Sequence, residues 1–194
     1  MEIAKPNFDI LKIVNVAELY DMVSRMFRDC SDVHISDVKF NLWIRKVAEL
    51  YSHRHNPYHN FKHGVTVMQS LYYFLQHTEA QKCFNGVNKF AMLFSGICHD
   101  IDHTGRSNVF EINSRSHLAL RYNDTSVLEN HHCAIAFEIL NDPKMNITEN
   151  ISVEDTVNFR KLVIVAILAT DVKSHFDILD RFRVKLDHNE LNPD

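Results

Sequence analysis

Glycine and proline are scarce in this chain. Four of each among 194 residues argue against a turn-rich β architecture and for long helices. Cysteine is equally scarce: Cys30, Cys83, Cys98 and Cys133 are scattered, with no Cys-x-x-Cys pair. That disfavours a disulfide or zinc-thiolate framework and favours reduced, buried thiols in a cytoplasmic protein. Under that reading the Asn-x-Ser/Thr matches at Asn123, Asn146 and Asn150 carry no weight. An excess of positive charge is also missing. The formal charge of −4 leaves no broad basic face, so a nucleic-acid partner is not expected. Long apolar runs are absent too. The longest, Leu162 to Ala169, falls far short of the roughly 20 residues that span a bilayer. The N-terminal Met1–Pro6 lacks the basic-then-apolar pattern of a secretion signal.

What is present is ordinary in bulk. With 45% hydrophobic and 24% charged residues, residues 1–194 suit a single domain with a sizeable core. Leu19, Met22, Val23, Met26 and Phe27 recur at helical spacing. A second helix is expected from about Ser36 to Tyr51, with Val38, Leu42, Ile44, Val47, Ala48 and Tyr51 available to the interior and Trp43 in the core. Pro57 interrupts the pattern, and a third helix then presents Val67, Met68, Leu71, Tyr72, Phe74 and Leu75. Residues 76–88 read as a loop, Val87 to Cys98 as a buried helix, and 109–120 as another helix, with Asn108 able to cap it. Residues 121–125 read as a loop. Ser126-Val-Leu-Glu129 fits a capping box, which gives Glu129 a purely structural reading. Asp142-Pro143 ends the next helix, Ser152-Val-Glu-Asp155 opens another, and one long helical stretch is expected from there to about Leu186. The fold class is all-α, a compact bundle of seven or more helices.

Histidine is the anomaly. Of thirteen, ten lie between His53 and His132. The densest knot is His99-Asp100-Ile-Asp102-His103, placed directly after a core-forming run. Four ionisable groups in five positions are costly to bury without a partner, and a divalent metal supplies one. His and Asp also cap helices and form surface ion pairs. His59 and His63 are four apart and share a face if helical geometry holds there; otherwise they are two surface histidines.

Taken together, His63, His99 and Asp100 offer a metal two imidazoles and a carboxylate, and leave positions open for water. Asp100 has a second oxygen for a harder, mostly hydrated cation. Paired cations suit displacement at phosphorus. His59, near a ligand without being one, suits protonation of a leaving alkoxide. His103, His132 and Glu129 fit a supporting shell around ligands and water. Asp102 points elsewhere and reads as structural.

Four ordered segments carry a resemblance. Tyr58-His59-Asn60-x-x-His63, His99-Asp100-x-Asp102-His103-x-Gly105-x-x-Asn108, Tyr122-Asn-Asp-x-Ser126-Val-Leu-Glu-Asn-His-His132 and Ala169-Thr170-Asp171-x-x-x-His175 are similar to the class I 3′,5′-cyclic nucleotide phosphodiesterases. The resemblance covers most of the chain, including Phe8-Asp9-Ile10. It implies a helical catalytic domain of the HD-type metal phosphohydrolase kind. Such a domain holds zinc at a tighter site and magnesium or manganese at a second. Its substrate is a small molecule, cyclic AMP or cyclic GMP, attacked by a bridging hydroxide to give 5′-nucleotides. By motif match His59 is the general acid and His63, His99 and Asp100 are metal ligands. His103, Asn108, Glu129 and His132 support the waters, Thr170 lies in a metal-side shell, and Tyr58 lines the pocket near the phosphate. Family domains continue further, to another metal-binding aspartate, a purine-gripping glutamine and an aromatic clamp. The 194 residues are therefore expected to form the N-terminal part of a domain that is poorly stable and weakly active or inactive alone. Two alternatives stand beside this reading: another HD-type metal phosphohydrolase, and a non-catalytic metal-binding helical domain.

Overall fold

The computed structural model describes residues 3, 5 and 8–188. Among them the chain is helical without a strand, running α1 (Val16–Cys30), α2 (Asp37–Ser52), α3 (Phe61–His77), α4 (Gly86–Cys98), α5 (Asn108–Asn113), α6 (His117–Tyr122), α7 (Val127–Asn141), α8 (Val153–Leu168) and α9 (His175–Asp187). Short 3₁₀ turns lie at Ile10–Lys12, Glu79–Cys83 and Val172–Ser174. Helix starts follow the capping chemistry of their sequences. The side chains of Asn15, Asn60, Asn85, Ser107, Ser116 and Ser152 each accept a backbone N–H of the first turn, satisfying donors that have no partner within the helix.

The centre of the molecule is α4, which packs between α3 and α8 and also touches α1 and α7. Phe90, Ala91, Leu93, Phe94, Ile97 and Cys98 are fully removed from solvent. Trp43 stacks on Phe94 at 5.7 Å between ring centroids, and Phe159 meets Phe90 and Phe94 at 5.4 and 5.3 Å, distances typical of favourable aromatic pairs. α3 comes so close that a Cβ on Gly96 would stand 3.1 Å from the Met68 Cα and 2.7 Å from Leu71 Cδ1. This wedge carries the His99–Asp100 knot at its C-terminal end.

Several boundaries depart from the sequence reading. On α2 the buried stripe is Phe40, Trp43, Ile44, Val47, Ala48 and Tyr51, while Val38 and Leu42 are 71% and 44% exposed. They lie off the stripe that a 100° rotation per residue defines. Phe74 on α3 is likewise exposed. The expected loop at 76–88 holds a 3₁₀ turn. The expected helix over 109–120 is two helices, because Arg115 adopts φ +52° and Ser116 starts α6 afresh. The expected loop at 121–125 begins only after Tyr122. The long stretch to Leu186 breaks after Leu168, where Asp171 accepts Lys173 N–H and opens a 3₁₀ turn. α9, which follows, buries no residue.

Candidate active site

Two segments without regular helix meet at the end of α4. One, residues 53–60, leaves α2 and enters α3; the other, residues 99–107, leaves α4 and enters α5. Helical geometry does not reach His59, because Asn60 is the N-cap of α3 and accepts His63 N–H at 3.2 Å. The His59 and His63 rings nonetheless lie 5.8 Å apart, so the turn achieves what the helix was expected to.

His63 Nε2, His99 Nε2 and Asp100 Oδ2 converge. The three separations are 3.2 Å (His63–His99), 3.2 Å (His63–Asp100) and 3.1 Å (His99–Asp100). Ligands at about 2.0–2.1 Å from a tetrahedral ion stand roughly 3.3 Å apart, so the trio has the dimensions of one face of a metal shell. The tautomers agree. His99 Nδ1 sits 2.8 Å from the Gly96 carbonyl and donates to it, leaving a lone pair on Nε2. Burial opposes charge on Asp100, yet the His63 and His99 imidazoles facing it outweigh burial and hold its carboxyl far below the usual range. Burial likewise lowers the His99 imidazole, but Asp100 more than compensates and raises it. The buried carboxylate thus demands a positive charge, and a divalent cation meets that demand with the donor set present.

The other oxygen of Asp100 faces His132, 3.7 Å from its Nε2. His132 Nδ1 donates to the Ile101 carbonyl at 2.6 Å, and burial pushes its pKa down to about 3. Asp100, His103 and His132 form a second group of possible ligands. His103 differs in kind, because its Nδ1 accepts Gly105 N–H at 2.9 Å and its neutral ring therefore carries the proton on Nε2. Burial, then repulsion from His59, lowers His103 to about 4. An Nε2–H is a donor, suited to a water or a phosphoryl oxygen and not to direct ligation.

Asn108 and Glu129 meet through a contact between helices. Ser107, not Asn108, caps α5. Asn108 Oδ1 accepts Leu128 N–H and its Nδ2 donates to Glu129 Oε2, both at 2.9 Å, so it caps α7 from another helix. The capping box at Ser126 is not formed: Ser126 is left-handed, and its hydroxyl donates to Asp171 Oδ2 at 2.8 Å. Glu129 is freed from its structural reading. Burial raises its carboxyl, and Asn108 opposes the rise. Tyr58 is 65% exposed, with its ring 5.0 Å from His59 and 4.7 Å from His63. Thr170 is exposed, and its hydroxyl donates to the Ile167 carbonyl at the end of α8 rather than toward a ligand.

Other contributors escaped the sequence reading. Tyr51, read only as core, donates its hydroxyl to the Ile97 carbonyl at 2.9 Å and accepts Asp100 N–H at 3.2 Å. Asp102 is the hub of a structural network, taking Arg54 and His53 on Oδ1 and His131 on Oδ2. A buried tyrosine needs a partner for its hydroxyl, the one signal by which sequence could have flagged Tyr51.

Residues 58–193 match the 3′5′-cyclic nucleotide phosphodiesterase family. The chain belongs to that family. High affinity cGMP-specific 3′,5′-cyclic phosphodiesterase 9A of Homo sapiens is 38% identical over 187 residues, 95% of this chain and 31% of that protein. Dual specificity calcium/calmodulin-dependent 3′,5′-cyclic nucleotide phosphodiesterase 1C of Mus musculus is 42% identical over 172 residues, 88% of this chain and 23% of that protein. The solved phosphodiesterase domain of the RhoPDE fusion protein from the choanoflagellate Salpingoeca rosetta superposes with a TM-score of 0.89 at 36% identity, covering 94% of this chain and 57% of that one. The chain thus spans about a third of the first curated relatives' length. As a phosphodiesterase-family chain it has the all-α fold and the His–Asp donor set that divalent metal binding requires.

Proposed function

We propose that this protein hydrolyses 3′,5′-cyclic nucleotides to 5′-nucleoside monophosphates, with a divalent cation held by His63, His99 and Asp100 and His59 as general acid. The observation that carries the reading is the mutual approach of the three ligand atoms to within 3.2 Å, with His59 beside them and outside the trio. The names of the relatives, one cGMP-specific and one of dual specificity, support a cyclic nucleotide as the substrate class.

Bound at the trio, a cation supplies Lewis acidity toward the phosphoryl group and lowers the pKa of water toward neutrality. Our assignment is zinc there, with magnesium or manganese on the other side of Asp100. His59 transfers its proton to the departing 3′ oxygen as the phosphorus–oxygen bond breaks. Burial, opposed by Asp100 and reinforced by His63 and His99, lowers its pKa. His103 Nε2–H donates to attacking water or phosphoryl oxygen. His132, Glu129 and Asn108 complete the polar wall that orients water, and Tyr58 borders the phosphate. Residues 1–194 read as one part of a catalytic domain in the cytoplasm, which four free cysteines support. Among the described residues no helix is long and apolar enough to cross a membrane.

The test is metal content and cyclic nucleotide hydrolysis in the wild type, His59→Ala and Asp100→Ala. His59→Ala is expected to keep its zinc and to lose about 10²–10⁴ in turnover, while Asp100→Ala loses both. Stoichiometric zinc without hydrolysis in the wild type would favour the non-catalytic alternative.

A further inference from the structure

Residues 51–56 run beside residues 97–103 and are fastened to them at successive points. Tyr51 holds Ile97 and Asp100, and His53 and Arg54 hold Asp102 at 3.1 and 2.9 Å. Asn56 donates from Nδ2 to the His103 carbonyl at 2.6 Å. That last arm reaches into the turn beyond His103. Gly105 takes φ +78°, and a Cβ placed on it would stand 2.6 Å from Asn56 Oδ1. Gly105 N–H closes the turn onto His103 Nδ1. Asn56 therefore fills the concavity of the 103–105 turn and holds one end of His103, while the turn holds the ring.

The His103 ring in turn lies flat against His59, with centroids 3.8 Å apart and an interplanar angle of 11°. Among the described residues the His59 ring makes no side-chain hydrogen bond. Its other ring neighbours meet it edge-on, Tyr58 at 83° and His63 at 82°. Nothing in its own segment fixes the direction in which it points; the face of His103 does. The ligands have separate anchors: His63 sits in the first turn of α3, His99 hangs on Gly96, and Asp100 hangs on Tyr51.

We propose that Asn56 is a positioning residue for His59, acting through the 103–105 turn and the His103 ring while leaving the metal ligands in place. The proposal rests on the reading of His59 as general acid. It predicts a selective defect. A sugar alkoxide leaves poorly without a proton, whereas 4-nitrophenolate leaves without one, so misplacing an acid spares the second substrate.

The experiment compares Asn56→Ala, Gly105→Ala and His59→Ala with the wild type on cyclic GMP, cyclic AMP and bis(4-nitrophenyl) phosphate. Zinc content is measured alongside. Gly105→Ala reaches the same arm from the opposite side, by displacing the Asn56 side chain. Both variants are expected to lower kcat on the cyclic nucleotide about 10- to 100-fold, with KM and zinc content held within about threefold and nitrophenyl turnover lowered clearly less, by the share His103 contributes in holding water or phosphoryl oxygen. Equal loss on both substrates, loss of zinc, or no loss on either would overturn the proposal. If wild type and His59→Ala turn over every substrate alike, the reading of His59 as acid is what fails. Placement is then decided by ¹H–¹³C spectra of the histidine rings in the zinc-loaded protein. Movement of the His59 and His103 signals in both variants, with His63 and His99 unmoved, sustains the positioning role. A stationary His59 signal refutes it.

Discussion

Asp102 shows how one side chain can be structural in a site of chemical ones. It sits at φ +58°, accepts from Arg54 and His131, and lies 3.1 Å from His53 Nε2. Burial alone would raise its pKa; the hydrogen bonds from His131 and Arg54, with the charge of Arg54, outweigh that and hold it at about 2 against an ordinary 3.8. A carboxyl with a depressed folded-state pKa stabilises the fold above its unfolded value and loses that contribution as pH falls through the folded one. Urea midpoints are therefore expected to drop between about pH 4 and pH 2, by about 2 kcal/mol for this group. In Asp102→Asn that part of the slope should flatten, over a stability already lower by about 1–3 kcal/mol. An unchanged slope would place the acid sensitivity elsewhere. At this scale the sequence was most legible for His63, His99 and Asp100, whose donor chemistry is carried in the residue type itself. Asn56, Arg54 and Tyr51 were not legible. An asparagine before a proline reads as a turn former, and a tyrosine on an apolar stripe reads as filling, until the facing backbone is known.

Among the elements, α4 sets the geometry of the others. Its Gly96 admits α3 to within contact of backbone, and the Gly96 carbonyl holds His99 Nδ1. Gly96→Ala should push α3 outward and cost about 1–3 kcal/mol, read as a lower urea midpoint. Zinc affinity should fall with it, because the same shift moves His63 relative to His99. Wild-type stability and zinc affinity in the variant would contradict that packing. Element types were readable from periodicity, since the buried faces of α1 and α4 are their apolar faces. Breaks were less so. A left-handed Arg115 or Ser126 has no propensity signal, because each conformation is imposed by its neighbours. The helix expected to continue past Leu168 stops where Asp171 both accepts Lys173 N–H and receives Ser126 Oγ–H, a long-range bond that local pattern does not carry.

For the molecule as a whole, α8 and α9 carry exposed apolar side chains among the described residues, Val165, Phe176, Phe182, Val184 and Leu186. The strongest global lever is then the divalent metal dependence expected of the family, since on the proposed reading an ion would be held only by the folded arrangement of donors from α3 and the end of α4. Removal with a chelator should lower the melting temperature, and zinc at about 1,000 times its Kd should return about 4 kcal/mol. A melt insensitive to both would mean that the trio holds no ion. The all-α class was evident from few glycines and prolines. The packing order around α4 was not, because amphipathic stripes say which faces are buried and not against which partner. That order has a consequence for motion. Amides of α4 from Phe90 to Cys98 lie in an almost wholly buried stretch, so their hydrogens should exchange with solvent only when the entire fold opens, whereas those of residues 53–60, in a segment without regular helix, should exchange through small local openings. His99 and Asp100 follow directly on the unit expected to exchange slowest, and His59 rides on a segment expected to exchange faster. On the reading of His59 as general acid, its ring is held by packing against His103 rather than by its own segment, so a local opening of residues 53–60 would release it while the core that carries His99 and Asp100 stays closed.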